Sequence, residues 1–473
     1  MQYEKNRPPS DACGQRTDFY RVIHKEERRV QRDLTRGPIG RSLVLFALPM
    51  IAGNLLQQLY NIADTLIVGR VLGSGALAAV GSAYTLMTFL TSIFLGLSMG
   101  AGALYSICLG QGDMHRLRLG VFHGAVLILA ATAAVNLLVY LGLDGILWFL
   151  RVPEEVLPGM RTYLLVIFSG ILATSVYNFC ACLLRAVGNS VVPLVFLAIS
   201  AVGNIVLDLL FVAVLPWGIA GAAAATVISQ YASGVGIAIY VAKKTPELLP
   251  KRGEMKLQKT VFREIGSLSA LTCLQQSVMN FGILMVQGLV NSFGTVIMAA
   301  FAAAVKIDTF AYLPVQDFGN AFSTFVAQNY GAGQRKRIGK GTGTAMGLTI
   351  VFSLVISGLV CLLAGPLMGI FVKTSEEAVI AAGVTYLRIE GACYVGIGIL
   401  FLLYGYYRAI KKPGMSVVLT VISLGTRVGL AYGLAGVVGV RGIWLSIPIG
   451  WALADAVGLI WMKLRPLLET IEA

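Results

Sequence analysis

The chain has 473 residues, of which 57% are apolar and only 13% are Asp, Glu, Lys or Arg. Soluble proteins carry about 25% charged residues, so this composition excludes a soluble globular fold. At about 20 apolar residues per crossing, the apolar content supplies at most about a dozen transmembrane helices.

The N-terminal segment, 1–41, is polar, with ten Lys or Arg and six Asp or Glu. It lacks the apolar core that directly follows the basic stretch of a secretory signal, so we expect it to form a cytoplasmic tail. Of the seven cysteines, only Cys13 lies in this tail, and the other six lie in apolar runs without metal-ligand spacing. We therefore interpret these six as small packing residues.

Twelve apolar segments follow, each long enough to span a bilayer. They lie at roughly 42–68, 78–109, 119–143, 162–184, 191–214, 218–242, 262–288, 294–327, 343–371, 383–407, 414–438 and 441–462. The pattern predicts an all-α integral membrane protein with twelve transmembrane helices. An even number of spans places both termini on the same side.

Basic residues are concentrated on that side. The two terminal tails and alternate connections hold 29 of the 37 Lys and Arg, including the seven within residues 243–263. By the positive-inside rule this side is cytoplasmic, which predicts a multi-pass protein of the cell membrane with both termini inside. The net charge of +14 therefore indicates orientation, and we expect no nucleic-acid partner.

The chain also repeats itself. Leu56-Gln57-Gln58 matches Leu274-Gln275-Gln276 at an offset of 218, and the glycine and arginine pattern from Gly112 to Gly120 matches Gly331 to Gly339 at 219. Gly218-Ile219 matches Gly442-Ile443 at 224. Because each half holds an even number of spans, the repeat is parallel, an arrangement that transporters use for alternating access.

This repeat predicts two six-helix bundles and five parts of the chain. They are an N-terminal tail (1–41), an N-terminal lobe (42–242), a cytoplasmic linker (243–263), a C-terminal lobe (264–463) and a C-terminal tail (464–473).

Intramembrane carboxylates are costly and mark candidate functional sites. Asp64 lies nine residues from the outer end of the first span, Asp208 ten residues deep in the fifth and Thr226 eight deep in the sixth. At 1.5 Å per residue, all three lie roughly 12 to 15 Å below the outer surface and can share one layer. Such a carboxylate pair takes up a proton or binds a hard cation through oxygen atoms.

Helical spacing places further polar residues beside them. One face of the first span carries Pro49, Gly53, Gln57, Tyr60 and Asp64, and one face of the fifth carries Ser200, Asn204 and Asp208. Pro49 removes a backbone hydrogen bond and offers a place for the first span to bend. The alternative is that these polar groups only join helices by hydrogen bonds, which fits Gln57 or Ser200 alone better than two carboxylates in one layer.

The second half lacks this pattern. The offsets place Gly282 opposite Asp64, Arg427 opposite Asn204 and Ala431 opposite Asp208, so we expect the coupling site in the first half only. Lys306 and Asp308 are interpreted as a structural ion pair, with substrate contact as the alternative. No role is assigned to the remaining intramembrane charges, Asp317, Glu390, Arg427 and Asp455.

Together these motifs resemble the multidrug and toxic compound extrusion (MATE) transporters over residues 42 to 463. The resemblance rests on Pro49, Gln57 and Asp64, the Val68-Gly69 and Leu72-Gly73 turn, Gly110-Gln111-Gly112 with its echo at 328–333, and Asn204-x-x-x-Asp208. It implies a cation site at Asp64, Asn204, Asp208 and Thr226, with Asn178 nearby and a bend at Pro49. Another branch of the family uses a carboxylate in the seventh span, but residues 268–294 contain no acid here.

The expected function is a secondary antiporter that exports amphipathic, often cationic, compounds in exchange for Na⁺ or H⁺. We expect a monomer in the lipid bilayer with no cofactor. Two alternatives remain: a flippase for lipid-linked saccharides, with a cavity made cationic by Arg427 and Lys306, and an intramembrane enzyme. The enzyme is disfavoured because His24, His115 and His123 lie in the tail, a loop or a span edge, and no protease motif surrounds Asp64 and Asp208.

Overall fold

The computed structural model describes residues 32–149, 154, 156–373 and 375–465, and within these ranges the regular structure is helical, with no β-strand. Eleven of the described helices are long and apolar enough to cross a bilayer, and a pair of shorter helices bent by 51° makes a twelfth. The expected all-α membrane fold is confirmed.

The spans are α1 (Ile39–Leu72), α2 (Ser74–Gln111), α3 (Met114–Phe149), α4 (Leu157–Ala186), α5 (Val191–Val214), α6 (Gly218–Lys244), α7 (Lys259–Asn291), α8 (Thr295–Gly331), α9 (Arg335–Phe371), α10a (Glu377–Gly391) with α10b (Tyr394–Ala409), α11 (Pro413–Val438) and α12 (Val440–Leu464). A 3₁₀ turn at Phe168–Gly170 interrupts α4. The last part of α5, Leu209–Val214, is π-helical.

Several helices extend beyond the apolar segments. α1 begins at Ile39 rather than 42, and α7 begins at Lys259, inside the expected linker. Polar residues extend these helices beyond their apolar segments, so hydropathy alone places the start of each helix too late in the chain. Residues 1–31 of the expected N-terminal tail, with Cys13, and residues 466–473 of the C-terminal tail lie outside the described residues. The division into two lobes stays a prediction.

Turn glycines reveal the register of the repeat. Three pairs with positive φ share one sequence offset, 221, namely Gly73 with Gly294, Gly112 with Gly333 and Gly218 with Gly439. Glycine adopts this left-handed conformation without steric cost, so these positions mark equivalent turns.

The matches between identical residues in the sequence gave the wrong register of the repeat at these turns. Gly331, expected opposite Gly112, is the last helical residue of α8, whereas Gly333 makes the turn. The offset of 221 places Met285, rather than Gly282, opposite Asp64. Both residues are uncharged, so the absence of an acid at this position of α7 is unchanged.

The register changes within the fifth span. Gly188 and Lys411, which precede α5 and α11, also have positive φ, and their offset is 223. The π-helical turn of α5 adds length before Gly218, where the offset returns to 221. Positions of α5 before the π-helical turn therefore keep the offset of 223, so Asn204 corresponds to Arg427, as the sequence predicted.

One end of the bundle, which we call the basic end, gathers the connections after α2, α4, α6, α8 and α10b. Here Glu264 of α7 binds Arg116 of α3 at 2.7 Å and Lys411, after α10b, at 2.6 Å. Glu254 of the α6–α7 connection accepts hydrogen bonds from Arg118, with His115 2.9 Å away. Arg118 holds the pKa of Glu254 well below its ordinary value, so this contact persists at neutral pH.

The segment before α1, residues 32–37, forms a strap across the basic end. The Arg32 amide donates to the Gly188 carbonyl at 3.1 Å, joining the strap to the α4–α5 turn. Leu34 is fully buried, and its amide and carbonyl bond the side chains of Gln328 and Asn329 in α8. The strap therefore touches helices from both halves of the chain.

The backbones of the two halves come into direct contact where α2 crosses α8. A Cβ on Gly110 would lie 2.0 Å from the Gln328 carbonyl oxygen, and a Cβ on Gly331 would lie 2.0 Å from the Ile107 carbonyl oxygen. These contacts are reciprocal under the offset of 221, so the crossing lies on the axis of the internal repeat. The direct backbone contact at this point closes the basic end.

We predict that Gly110→Ala and Gly331→Ala each destabilise the protein, because the added methyl group forces α2 and α8 apart. Overpacking of this kind costs about 1 to 3 kcal/mol. The measurement is the apparent melting temperature of the purified protein. Gly347→Ala is the matched control, because a Cβ there meets no atom within 4 Å; unchanged melting of both test variants would contradict the prediction.

Candidate functional site

Two connected cavities lie between the halves on the side of the α2–α8 crossing away from the basic end. The inner cavity, of about 240 Å³, is nearer the basic end and reaches Ser106, Ala186 and Arg408. The outer cavity, of about 440 Å³, is lined by Asp64 and Met87 among others. Helices from both halves line each cavity, and Asn54, Gln57 and Tyr60 line both.

Asp64 and Asp208 are neighbours, as their depths in the sequence predicted. Asp64 lines the outer cavity, while Asp208 is completely buried behind it. Their carboxyl groups are close enough to interact electrostatically, and the buried Tyr163 of α4 is close enough to interact with both. The pair therefore occupies one pocket formed by α1, α4 and α5.

Asn204 and Thr226 complete this pocket. The Asn204 side-chain amide donates to the Thr226 hydroxyl at 3.2 Å, and that hydroxyl donates to the Ala222 carbonyl at 3.2 Å. Asn204 lies one turn from Asp208 on α5. The four residues that the sequence grouped as a cation site are thus close together.

The pocket holds an unusual concentration of oxygen atoms that receive no hydrogen bond. Oδ1 of Asp64, both carboxyl oxygens of Asp208 and Oδ1 of Asn204 are buried, and no donor among the described residues reaches them. Buried polar atoms are normally satisfied, because an unmade hydrogen bond costs about 1 to 3 kcal/mol. Four such oxygens together form a set of acceptors suited to a proton or a hard cation. The described residues contain no cluster of three or more His, Cys, Asp or Glu that could hold a metal ion.

The backbone is irregular directly after Asp208. The α-helical part of α5 ends at this residue, and the π-helical turn follows it. Single π-helical turns occur frequently at functional sites because they leave backbone groups displaced from the regular hydrogen-bond pattern.

The other expected residues of the first half are more dispersed. Gln57 and Tyr60 line both cavities, but Asn178 lines only the inner cavity, where its amide donates to the Thr174 carbonyl at 2.9 Å. α1 continues as a helix through Pro49. The helix is therefore not broken at this residue, and the bend stays a prediction.

The expected polar face of α1 is partly wrong. A Cβ on Gly53 would contact Leu194 and Leu197 of α5, so Gly53 packs inside its own half. The cavity-facing residues are instead Met50, Asn54, Gln57, Gln58, Tyr60, Asn61 and Asp64. Residues spaced by four rotate gradually around the helix, because an α-helix has about 3.6 residues per turn. Counting back from Asp64 in steps of four therefore leaves the face that lines the cavity.

The second half contains its own carboxylate cluster, which the sequence analysis missed. Asp308 of α8 accepts hydrogen bonds from Tyr394 at 2.5 Å and Tyr386 at 3.4 Å. Glu390 of α10a and Arg427 of α11 lie close enough to interact with it. Asp308, Glu390 and Arg427 all line the outer cavity.

The ion pair expected between Lys306 and Asp308 is wrong. Lys306 is exposed and lies 5.9 Å from the centre of the Phe371 ring, whereas Asp308 is buried. Residues two apart on a helix point to different faces, so their sequence proximity was misleading.

The remaining acids have distinct surroundings. Asp317 of α8 accepts a hydrogen bond from Asn54 of α1 at 2.6 Å, which joins the two halves across the inner cavity. Asp455 of α12 is buried, and its Oδ1 has no hydrogen-bond partner among the described residues. The six cysteines among the described residues are free thiols, and three of them, Cys108, Cys180 and Cys182, are buried.

Comparison with known proteins agrees with this architecture. The MatE family model matches the chain twice, over residues 49–210 and 269–433, which corresponds to the internal repeat. Probable multidrug resistance protein YpnP of Bacillus subtilis is 30% identical over 91% of this chain and 96% of its own length. Probable multidrug resistance protein NorM of Thermotoga maritima is 24% identical over 86% of this chain and 89% of its own.

Solved structures show the same fold. The outward-facing conformation of a multidrug resistance MATE family transporter of the MOP superfamily superposes with a TM-score of 0.86, at 22% identity, over 91% of this chain and 97% of that one. The relatives are transporters, and transporters of this family are not enzymes, which removes the intramembrane enzyme alternative. The chain belongs to the multidrug and toxic compound extrusion (MATE) family of membrane transporters.

Proposed function

We propose that the protein is a secondary antiporter that exports amphipathic or cationic compounds in exchange for Na⁺ or H⁺. The ion binds at Asp64, Asn204, Asp208 and Thr226. We further propose that the protein acts as a monomer in the cell membrane, with its basic end and both termini facing the cytoplasm. The positive-inside rule supports this orientation.

The observation that carries the proposal is the set of four buried oxygen atoms at Asp64, Asp208 and Asn204 that no described donor reaches. Two neighbouring carboxylates cannot both remain charged and uncompensated in a medium of low dielectric constant. A proton or Na⁺ supplies the missing positive charge, and the Asn204 and Thr226 oxygens add neutral ligands for a cation. Because Asp64 also lines the outer cavity, ion and substrate compete for the same charge.

The outer cavity suits a lipophilic cation. Its walls carry the carboxylates Asp64, Asp308 and Glu390 against one basic residue, Arg427. Aromatic rings from Phe301, Tyr312, Phe401 and Trp451 line it as well. Aromatic faces attract cations, and apolar walls bind the remaining surface of such a molecule.

Alternating access requires the contacts at the basic end to break and re-form. In the described conformation, the α2–α8 crossing, the Glu264 ion pairs and the strap hold this end closed. Ion binding at Asp64 and Asp208 shifts the balance between the two states only if one state binds the ion more tightly than the other. The two states have this difference in affinity if the protein itself compensates the charge of the pair in one state and leaves it uncompensated in the other. The flippase alternative is not favoured by the relatives YpnP and NorM, which are both named as probable multidrug resistance proteins.

We predict that Asp64→Asn and Asp208→Asn each abolish ion-driven export, because an amide cannot exchange a proton or compensate a cation. The measurement is ethidium efflux from membrane vesicles with the Na⁺ and pH gradients imposed separately, which also identifies the coupling ion. Membrane insertion is checked by the amount of protein in the vesicles.

Asp144→Asn is the matched control for this experiment. Asp144 pairs with Arg161 at the end opposite the basic end and is 76% exposed, so its loss leaves the cavity unchanged. We expect normal efflux from the control. Normal efflux from either test variant would remove that residue from the coupling site.

We also predict that Arg337→Gln loosens the strap. The Arg337 guanidinium donates to the backbone carbonyls of Leu34, Arg36 and Gly37, at distances from 2.8 to 3.4 Å. Without these bonds the strap leaves the basic end more often, and trypsin should cleave after Arg36 severalfold faster. Cleavage is followed by mass spectrometry of the N-terminal fragment.

The control is Lys340→Gln, an exposed cation one turn further along α9. It should leave the cleavage rate unchanged. An equal rate in Arg337→Gln and the native protein would show that these hydrogen bonds do not hold the strap.

A further inference from the structure

Two arginines line the inner cavity and have no role in the proposed ion exchange. Arg185 is in the last turn of α4, and Arg408 is in the last turn of α10b, the corresponding helix of the second half. Both line the inner cavity, as does Cys182. The same cavity is therefore lined by one arginine from each of two equivalent helices of the two halves.

Neither arginine forms an ion pair with a described carboxylate. Arg408 is 5% exposed and, among the described residues, donates only to the neutral Ser323 hydroxyl at 3.3 Å and the side-chain Oδ1 of Asn320 at 3.1 Å. The Nε of Arg185 is buried and has no hydrogen-bond partner in the same part of the chain. Buried charges are normally paired, because desolvation of an unpaired ion is costly.

Asp317, the acid among the described residues that line the inner cavity, leaves this charge incompletely compensated. Asp317 interacts with Arg185 through space, but its Oδ1 is bonded to Asn54, and it forms no ion pair within 4 Å among the described residues. Two guanidinium groups against one carboxylate leave a net positive charge at the inner cavity. The outer cavity, with three carboxylates against Arg427, has the opposite sign.

We propose that Arg185 and Arg408 form a binding site for an anionic group, a phosphate or carboxylate, carried by a transported molecule. The planar guanidinium fork matches the oxygens of both groups. Neutral donors beside it, the Ser323 and Thr324 hydroxyls and the Asn320 amide, line the same wall. The transporter therefore accepts molecules with an anionic group directed toward the basic end and an apolar or cationic part in the outer cavity.

This inference takes the cavity to be the substrate path, and in that respect it rests on the proposed function. Its test measures binding without any ion gradient, so failure of ion coupling does not affect it. Riboflavin and flavin mononucleotide are suitable probes because they share one fluorescent ring system and differ by one phosphate. Binding to the full-length protein in phosphatidylcholine nanodiscs is followed by flavin fluorescence anisotropy.

We expect flavin mononucleotide to bind at least about tenfold more tightly than riboflavin, because hydrogen bonds between charged groups are about twice as strong as those between neutral groups. Arg185→Gln and Arg408→Gln should each remove most of this preference, while riboflavin affinity stays unchanged. Arg185→Lys and Arg408→Lys keep the charge and should retain part of it. The control Lys306→Gln removes an exposed cation outside both cavities and should retain all of it.

Arg408 also joins α10b to α8, so results for Arg408→Gln count only if this variant elutes from a size-exclusion column at the same volume as the native protein. Arg185→Gln breaks no described hydrogen bond and therefore tests the site independently. Repeating the titration with phosphatidylglycerol in the nanodisc distinguishes the source of the phosphate. Loss of the preference there would assign the site to a lipid headgroup and overturn the proposal. Absent binding of flavin mononucleotide, equal affinities for both flavins, or a preference that survives Arg185→Gln would also overturn it.

Discussion

The close backbone contact between α2 and α8 sets the position of everything else in this transporter. In lipid, helices gain little from burying apolar side chains against each other, so association depends on close packing of small residues. Gly110 and Gly331 supply that packing reciprocally on the axis of the repeat. Gly96 and Gly100 do the same for α2 against the backbone of α7. Because the halves touch along these few helices, space remains between them for two cavities.

The distribution of charge within those cavities follows from the cost of burying it. Each intramembrane ion is costly in free energy, so its presence implies a partner or a function. Asp308 accepts hydrogen bonds from tyrosine hydroxyls and interacts with Arg427, and Asp317 accepts a hydrogen bond from Asn54. Asp64 with Asp208, and Arg185 with Arg408, lack an opposite charge at bonding distance among the described residues. These two pairs, one acidic and one basic, lie at different depths of the same path.

The topology and the first-half pocket could be predicted from the sequence because both depend on local regularities. Apolar length and the positions of basic residues define the spans, and the constant rise of an α-helix brings Asp64, Asp208 and Thr226 to one depth. The register of the repeat depends on the backbone conformation of the turns, which matches between identical residues do not reveal. The second-half cluster was missed because Asp308 and Glu390 lie on α8 and α10a, whereas the first-half acids lie on α1 and α5. The strap was missed because Leu34 is one apolar residue in a polar stretch, and its burial depends on a pocket formed by distant helices.

The same duplication has produced two sites of different electrostatic character. Asn204 of α5 and Arg427 of α11 are equivalent positions of the repeat and lie beside the two carboxylate clusters. In the first half, the neutral amide leaves the charge of the carboxylate pair to be compensated by whatever enters the pocket. In the second half, Arg427 gives Asp308 and Glu390 a fixed positive neighbour that no gradient can remove. Under the proposed mechanism only the first site changes charge during a cycle, so the second can hold a constant field on the substrate while the first responds to the ion. A difference at one repeated position therefore separates those two tasks.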